Sequence, residues 1–253
     1  MPYANSHFRL KQLGKIFLAL GLALIAHTAA LAGSTPSPEE IVKNVDQLRN
    51  PAESFRMRVK VLDGATDSGD RKVFEVSLSG NNRTLIETLE PARDKGRNLL
   101  MLNEEMWAYI PSLKRAVRVS LSQKLSGQAA NGDISRMRWS GDYTPSFEKT
   151  EKTAKDQWVL LLEANKKGLT YDKIRVWVEQ KTFRPLRAEF LTPAGKLLKK
   201  AAYSDYREMA GKIRPTRIEI QDALREQDRS AVVIESMEAK TFPASMFNQN
   251  NLQ

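Results

Sequence analysis

Phe55-Arg56-Met57-Arg58-Val59-Lys60-Val61 alternates apolar and cationic side chains without a break, and this stretch decides the fold. In an extended chain successive side chains point to opposite faces. Phe55, Met57, Val59 and Val61 therefore share one buried face of a strand, and Arg56, Arg58 and Lys60 share the wet one. Downstream, Asp63-Gly64 and Ser68-Gly69-Asp70 mark a loop, and the alternation resumes with Phe74, Val76 and Leu78. Gly80-Asn81-Asn82 then supplies a hairpin turn before Leu85, Glu87 and Leu89, and Pro91 ends that run.

Further strands are expected at 98–103, 106–110, 116–119, 158–164, 171–178, 186–191, 197–206, 217–221 and 231–240. Eleven or twelve short strands separated by turn signals predict a long, mostly antiparallel meander, mainly β with a few helices. Upstream, Ser37-Pro38-Glu39-Glu40 is a capping box with proline at the first helical position. Ile41, Val42, Val45 and Leu48 follow at helical spacing, and Asn50-Pro51 stops the element, which predicts an amphipathic helix over Pro38–Arg49. The meander is interrupted between Ser120 and Gly141. Ser120 with Gln123 reads as another capping box, and Asn131-Gly132-Asp133 reads as a cap for one or two more turns carrying Ile134 and Met137. That segment is expected to be helical and to lie over one side of the curved sheet as a lid.

The N-terminus reads as an export signal. Arg9, Lys11 and Lys15 precede an apolar run from Ile16 to Ala26, and Ala30-Leu31-Ala32 is a small-x-small cleavage pattern. The expectation is a signal peptide over residues 1–32, a single domain over 33–253 and a periplasmic location. Cleavage there removes three cations and both histidines, leaving a net charge of +7. With no cysteine anywhere, the exported chain can form neither a Ser-His-Asp triad nor a thiolate or histidine metal site. No catalytic role, metal or cofactor is expected. Asp63, Asp67 and Asp70 lie close together, but Phe74 stands where a calcium loop of the EF-hand type needs its bidentate glutamate. An exposed hairpin loop is the expectation there. The cations alternate along strands or sit in turns, which suits the solvated outer face of a sheet, the first expectation here; for a binding role, anionic membrane surfaces or acidic partners suit the charge better than nucleic acid.

From Gly96 onward a resemblance can be stated. Gly96-Arg97-Asn98-Leu99-Leu100, Met106-Trp107-Ala108-Tyr109-Ile110-Pro111-Ser112-Leu113-Lys114-Arg115, Asn131-Gly132-Asp133 and Ser140-Gly141-Asp142-Tyr143 together resemble the outer-membrane lipoprotein-sorting-like, or LolA-like, periplasmic proteins. These are often encoded beside RND/MMPL-type exporters. The resemblance implies a half-open antiparallel β-barrel around an N-terminal helix, with helices as a lid. It implies carriage of lipid or acylated-protein cargo in the concave cavity, partnership with an exporter, transient membrane-surface contact and a part in outer-membrane biogenesis. A periplasmic sensor or regulatory interaction domain is the alternative for such a fold. On the carrier reading, Phe55, Met57, Val59, Phe74, Val76, Ile134 and Met137 line the apolar cavity. Trp107 and Tyr109 are candidates too, although alternation sets them opposite Met106 and Ala108. A twelve-carbon stretch buried there gains about 9 kcal/mol before ordering costs.

Overall fold

The computed structural model describes residues 35–50, 53–64, 70–148 and 154–252. The expected export segment and most of the expected loop around Asp67 lie outside them. A helix α1 (Pro38–Arg49) opens the described chain where the capping box predicts it. The Ser37 hydroxyl accepts from the Glu40 N–H at 3.1 Å, and Pro38 occupies the first turn, where no N–H is needed. At the other end Arg214, almost wholly buried, donates to the carbonyls of Gln47 and Leu48 at 3.0 and 2.7 Å. A cation at the helix C-terminus satisfies orphan carbonyls and complements the dipole.

Strands β1 (Ser54–Asp63), β2 (Arg71–Ser79), β3 (Arg83–Glu90), β4 (Leu99–Leu102), β5 (Glu105–Ile110) and β6 (Arg115–Val119) step outward in sequence order. Strands β9 (Tyr143–Phe147), β10 (Gln157–Ala164), β11 (Lys173–Glu179), β12 (Pro185–Leu191), β13 (Leu197–Met209), β14 (Lys212–Asp222) and β15 (Arg229–Ala239) step back from the opposite edge. β15 pairs with β1, so the two runs join in one antiparallel sheet of thirteen strands. The mainly β, antiparallel expectation holds. Twelve of these strands correspond to predicted runs; β9 does not, because Pro145 and its polar neighbours hide it. Proline is tolerated there because β9 is an edge strand.

The insert departs from expectation. Residues 120–130 are not helical: β7 (Lys124–Ser126) and β8 (Ala129–Ala130) form a small hairpin, followed by the single-turn helix α2 (Asn131–Ser135). The predicted helical lid is therefore a hairpin with one helical turn. Too few residues separate Ser120 from Gly127 to repay helix nucleation. Gly127, at φ +52°, reverses the chain instead. A Cβ there would lie 2.1 Å from the Ser230 hydroxyl, whose oxygen accepts from the Gln128 N–H at 2.7 Å. The hairpin is thus clamped to the start of β15.

One face of the sheet carries the interior. Over β1–β5, β14 and β15 it is covered by the insert; over β9–β13 it is covered by α1 and by Trp139. The reverse face of β3–β6 is covered by the C-terminal segment, where Phe242, Met246, Phe247 and Leu252 pack against Leu85, Leu100 and Leu102.

Candidate functional site

The predicted cavity residues do come together. Phe55, Met57 and Val59 of β1 and Phe74 and Val76 of β2 point to the same interior face, and Ile134 and Met137 of the insert pack onto them. Each is at most 4% exposed, so this face is filled by the insert rather than hollow. Register explains the set: Met57 faces Val76 and Val59 faces Phe74 across an antiparallel pair. Trp107 and Tyr109 are placed differently from the other seven, although Tyr109 also borders the open groove described below. They lie on the reverse face beneath the C-terminal segment, while Met106 and Ala108 face the interior cluster. The alternation within β5 required one of the two sets to turn away, and the apolar tail supplies the cover that makes the aromatic set the outer one.

Beside the filled face, an open groove of about 320 Å³ runs between β2, the ends of β4–β6 and the insert hairpin. Phe74, Leu99, Ala108, Val117, Val119 and Leu125 border it. Ala108, Val119 and Leu125 also pack against the cluster that holds the predicted residues, so groove and filled face are one continuous apolar surface. Lys72, Arg97, Lys124 and Asp94 stand at its rim. Asp94 pairs with Lys72 at 3.0 Å and lies 3.8 Å from Arg97; the Lys72 hydrogen bond is the largest influence holding its carboxyl below the ordinary range.

The interior under α1 has a different character. It contains a small cavity of about 40 Å³, room for little more than water, bordered by Arg49, Trp139, Tyr171 and Tyr203. The Arg49 guanidinium lies 4.0 Å from the centre of the Trp139 ring. Asp46 accepts from the backbone N–H groups of Trp139 at 3.0 Å and Ser140 at 2.8 Å, fastening the end of the insert to α1. Burial holds the Asp46 carboxyl above the ordinary carboxylate range, against the opposing pull of Arg49 and these N–H groups. Tyr143 donates to the Tyr171 carbonyl at 3.0 Å, and the Tyr171 hydroxyl donates to Asp133 at 3.1 Å.

A third cluster was not foreseen. Arg136 grips Asp142 with two guanidinium nitrogens, one contact at 2.8 Å, and also donates to the Asn103 carbonyl at 2.8 Å. Lys166 reaches both Asp142 and Glu104 at 2.9 Å. Glu104 belongs to the turn between β4 and β5, Asp142 leads into edge strand β9, and Lys166 follows β10. This clasp therefore joins the two flanks of the curved sheet through the insert. Burial acts to raise the Asp142 carboxyl, but Arg136 and Lys166 outweigh it and hold it below the ordinary range. Only the Gly-Asp-Tyr motif hinted at its importance; Arg136 lies just ahead of Asp142, while Glu104 and Lys166 come from distant turns. Among the described residues no group of three His, Asp or Glu could hold a metal, and no helix is long and apolar enough to cross a membrane.

Over 85% of its length the chain shares 34% identity with the structure of a LolA superfamily protein from Nitrosomonas europaea, covering 99% of that chain at a TM-score of 0.79. This chain belongs to the LolA superfamily. The family model matching residues 80–253 is described as "Uncharacterized protein". The fold also matches a domain from Vibrio parahaemolyticus assigned to outer membrane lipoprotein sorting, at 21% identity and a TM-score of 0.69, covering 85% of this chain and 97% of that one. A DUF1329 family protein from Desulfovibrio piger matches at 18% identity and 0.71, covering 86% and 100%. No curated protein matches. None of these three structures carries an enzyme's name. The LolA superfamily membership agrees with the resemblance carried by the motifs between Gly96 and Tyr143.

Proposed function

We propose that the protein is a periplasmic carrier of lipid or acylated-protein chains, loaded onto the interior face of β1–β5. The observation that carries this reading is the continuity between the filled face and the open groove. An apolar surface that is part covered and part open can exchange its cover for cargo. Residues 1–32 act as the export signal, and 33–253 form the working domain. The curled sheet acts as a half-open barrel, and the hairpin insert as its cover.

Ile134 and Met137 occupy the place that an acyl chain takes in the loaded state. Because apolar groups replace apolar groups, the exchange leaves the β1–β2 face buried throughout and costs little desolvation. The ties that must loosen are polar: Gln128 is held by Ser230 at 2.7 Å and by Lys199 at 2.6 Å, and Tyr171 donates to Asp133 at 3.1 Å. Thr84 donates to the Ser135 carbonyl at 2.7 Å, and Asp46 and the clasp hold the far end of the insert. No proton or group transfer is needed. An RND/MMPL-type exporter is the partner that would deliver or accept cargo, with transient contact to an anionic membrane surface.

A fluorescent fatty acid titrated against variants tests the carrier. Met57→Asp or Val76→Asp puts a charge on the lining, where desolvation is costly, and binding should fall. Arg58→Asp on the opposite face should leave it intact. Equal binding by folded variants of both classes, or no binding by the wild type, would sink the carrier. Native mass spectrometry of protein purified from its own envelope should show a bound acyl species on a chain beginning at Gly33.

A further inference from the structure

The groove beside the insert is apolar along its floor and cationic at its rim, and the two features together describe one kind of occupant. We propose that it binds a single long-chain fatty acid, the chain lying along Phe74, Leu99, Ala108, Val117, Val119 and Leu125 and the carboxylate meeting Lys124, Arg97 and Lys72. This rests on the carrier reading and adds to it a place of entry and a headgroup.

The volume of about 320 Å³ lies at the small end of ligand pockets, which suits one chain rather than a diacyl body. Three rim cations face a single carboxylate, Asp94, which Lys72 and Arg97 already engage. Lys124 has no carboxylate partner among the described residues, and it stands on β7 of the insert itself. A headgroup there bridges the cover and the sheet. The second hollow beside it repeats the pattern, with Arg71, Lys72, Arg93 and Lys124 among its walls against Asp63 and Asp70. A neutral or zwitterionic headgroup gains nothing from this excess of positive charge, whereas a carboxylate does. The apolar chain enters beside Leu125 and passes the polar walls at Thr88, Asn98, Gln123 and Asn131, and Ala108, Val119 and Leu125 carry the apolar floor into the cluster that holds Ile134 and Met137. Groove binding is thus the first step of loading, before the insert moves.

The test uses cis-parinaric acid and its methyl ester, identical chains with and without the charge, titrated against the purified protein. The acid should bind about tenfold more tightly than the ester, and added salt should narrow the gap. Lys124→Glu should weaken the acid by about tenfold and leave the ester unchanged. Ala108→Phe fills the groove and should abolish both; Val119→Phe on the edge strand serves as a second filling variant, with circular dichroism showing that each folds. Equal affinity for acid and ester, or indifference to Lys124→Glu, overturns the headgroup assignment while leaving the carrier intact. Unchanged binding in both folded filling variants overturns the groove as the place of entry. A lysophospholipid that displaces the acid at lower concentration overturns the fatty acid as occupant. Failure of the wild type to bind either probe removes the carrier reading itself.

Discussion

The two halves of the interior face are built from the same sheet and differ in what they hold. Over β1–β5 the surface is Phe, Met, Val, Leu and Ile, its cover is a hairpin with one helical turn, and a groove stays open beside it. Over β9–β13 the cover is a full three-turn helix, and the interior mixes tyrosines and Trp139 with Arg49 and Asp46 around a cavity of about 40 Å³. The half under α1 adds directional bonds from Asp46, Tyr143 and Tyr171 to an aliphatic core of Leu160, Leu162, Ile174 and Val176, and each such bond loses its worth if a partner shifts. The apolar half is held by contacts that an acyl chain can replace. On the proposed carrier reading, stability and cargo capacity fall to different ends of one sheet, and the clasp at Asp142 bridges the two.

Breaking that clasp should give the largest effect. Arg136 and Asp142 are 5% and 2% exposed, and Arg136→Met leaves a buried carboxylate short of its main partner. Removing one member of a buried pair costs about 3–5 kcal/mol, readable in urea denaturation. The acid limb of stability carries the same signature. Asp142 has a folded pKa below its unfolded one, so its contribution is fully present above the unfolded value near the usual carboxylate range. It is lost as pH falls through the folded value. The variant's stability should therefore depend less on pH in that acid window. An equal dependence in both proteins would remove Asp142 from the balance.

Cavity-making substitutions sharpen the comparison between halves. Ile134→Ala in the insert and Ile174→Ala on β11 each remove a side chain that is 1% exposed, and each should cost about 2–4 kcal/mol. Their effects on acyl binding should differ. Ile134→Ala removes a competitor for the lining, so a fluorescent fatty acid should bind at least as tightly; Ile174→Ala lies in the half under α1 and should leave affinity unchanged. If Ile174→Ala were the variant that altered binding, the two halves would have been assigned the wrong way round.

The insert glycines separate a hinge from a packing point. A Cβ on Gly132 would lie 1.7 Å from the Thr170 hydroxyl oxygen and 2.9 Å from Thr170 Cβ, whereas Gly141, at φ +82°, has open space around it. Gly132→Ala should cost about 1–3 kcal/mol through overpacking, and Gly141→Ala about 1 kcal/mol through backbone strain. Thermal melts rank them. Gly132 is thus a point of close approach, and of the two only Gly141 has the room that a moving backbone needs.

Much of this architecture is legible in local sequence. The capping box at Ser37 and the Asn50-Pro51 stop place the two ends of α1, and the β1 and β2 alternation assigns the interior face correctly at Phe55, Met57, Val59, Phe74 and Val76. These are short-range signals. What local pattern misses is set by distant partners. Lys124–Ala130 forms a hairpin clamped against Ser230, and Trp107 and Tyr109 pack against a tail more than a hundred residues later in the chain. The clasp joins Glu104, Arg136, Asp142 and Lys166, whose only shared property in the sequence is charge.

The smallest effect belongs to the wet face of β1. Arg58 is 44% exposed and meets Glu235 at 3.0 Å and Glu90 at 3.8 Å, a surface network rather than a buried pair. Such pairs contribute about 0–1 kcal/mol, because water screens the charges and two long side chains must be ordered. Arg58→Gln should accordingly shift the unfolding midpoint barely at all, and less still at high salt, where the pair is already screened. Its neighbours Met57 and Val59 are at most 2% exposed on the opposite face. Acyl binding should be unaffected by Arg58→Gln, since the strand carries its charge and its lining on opposite sides. A clear loss of binding in this variant would mean that cargo, or the partner that delivers it, reads the outer face of the sheet, and the division between lining and solvent face along β1 would have to be redrawn.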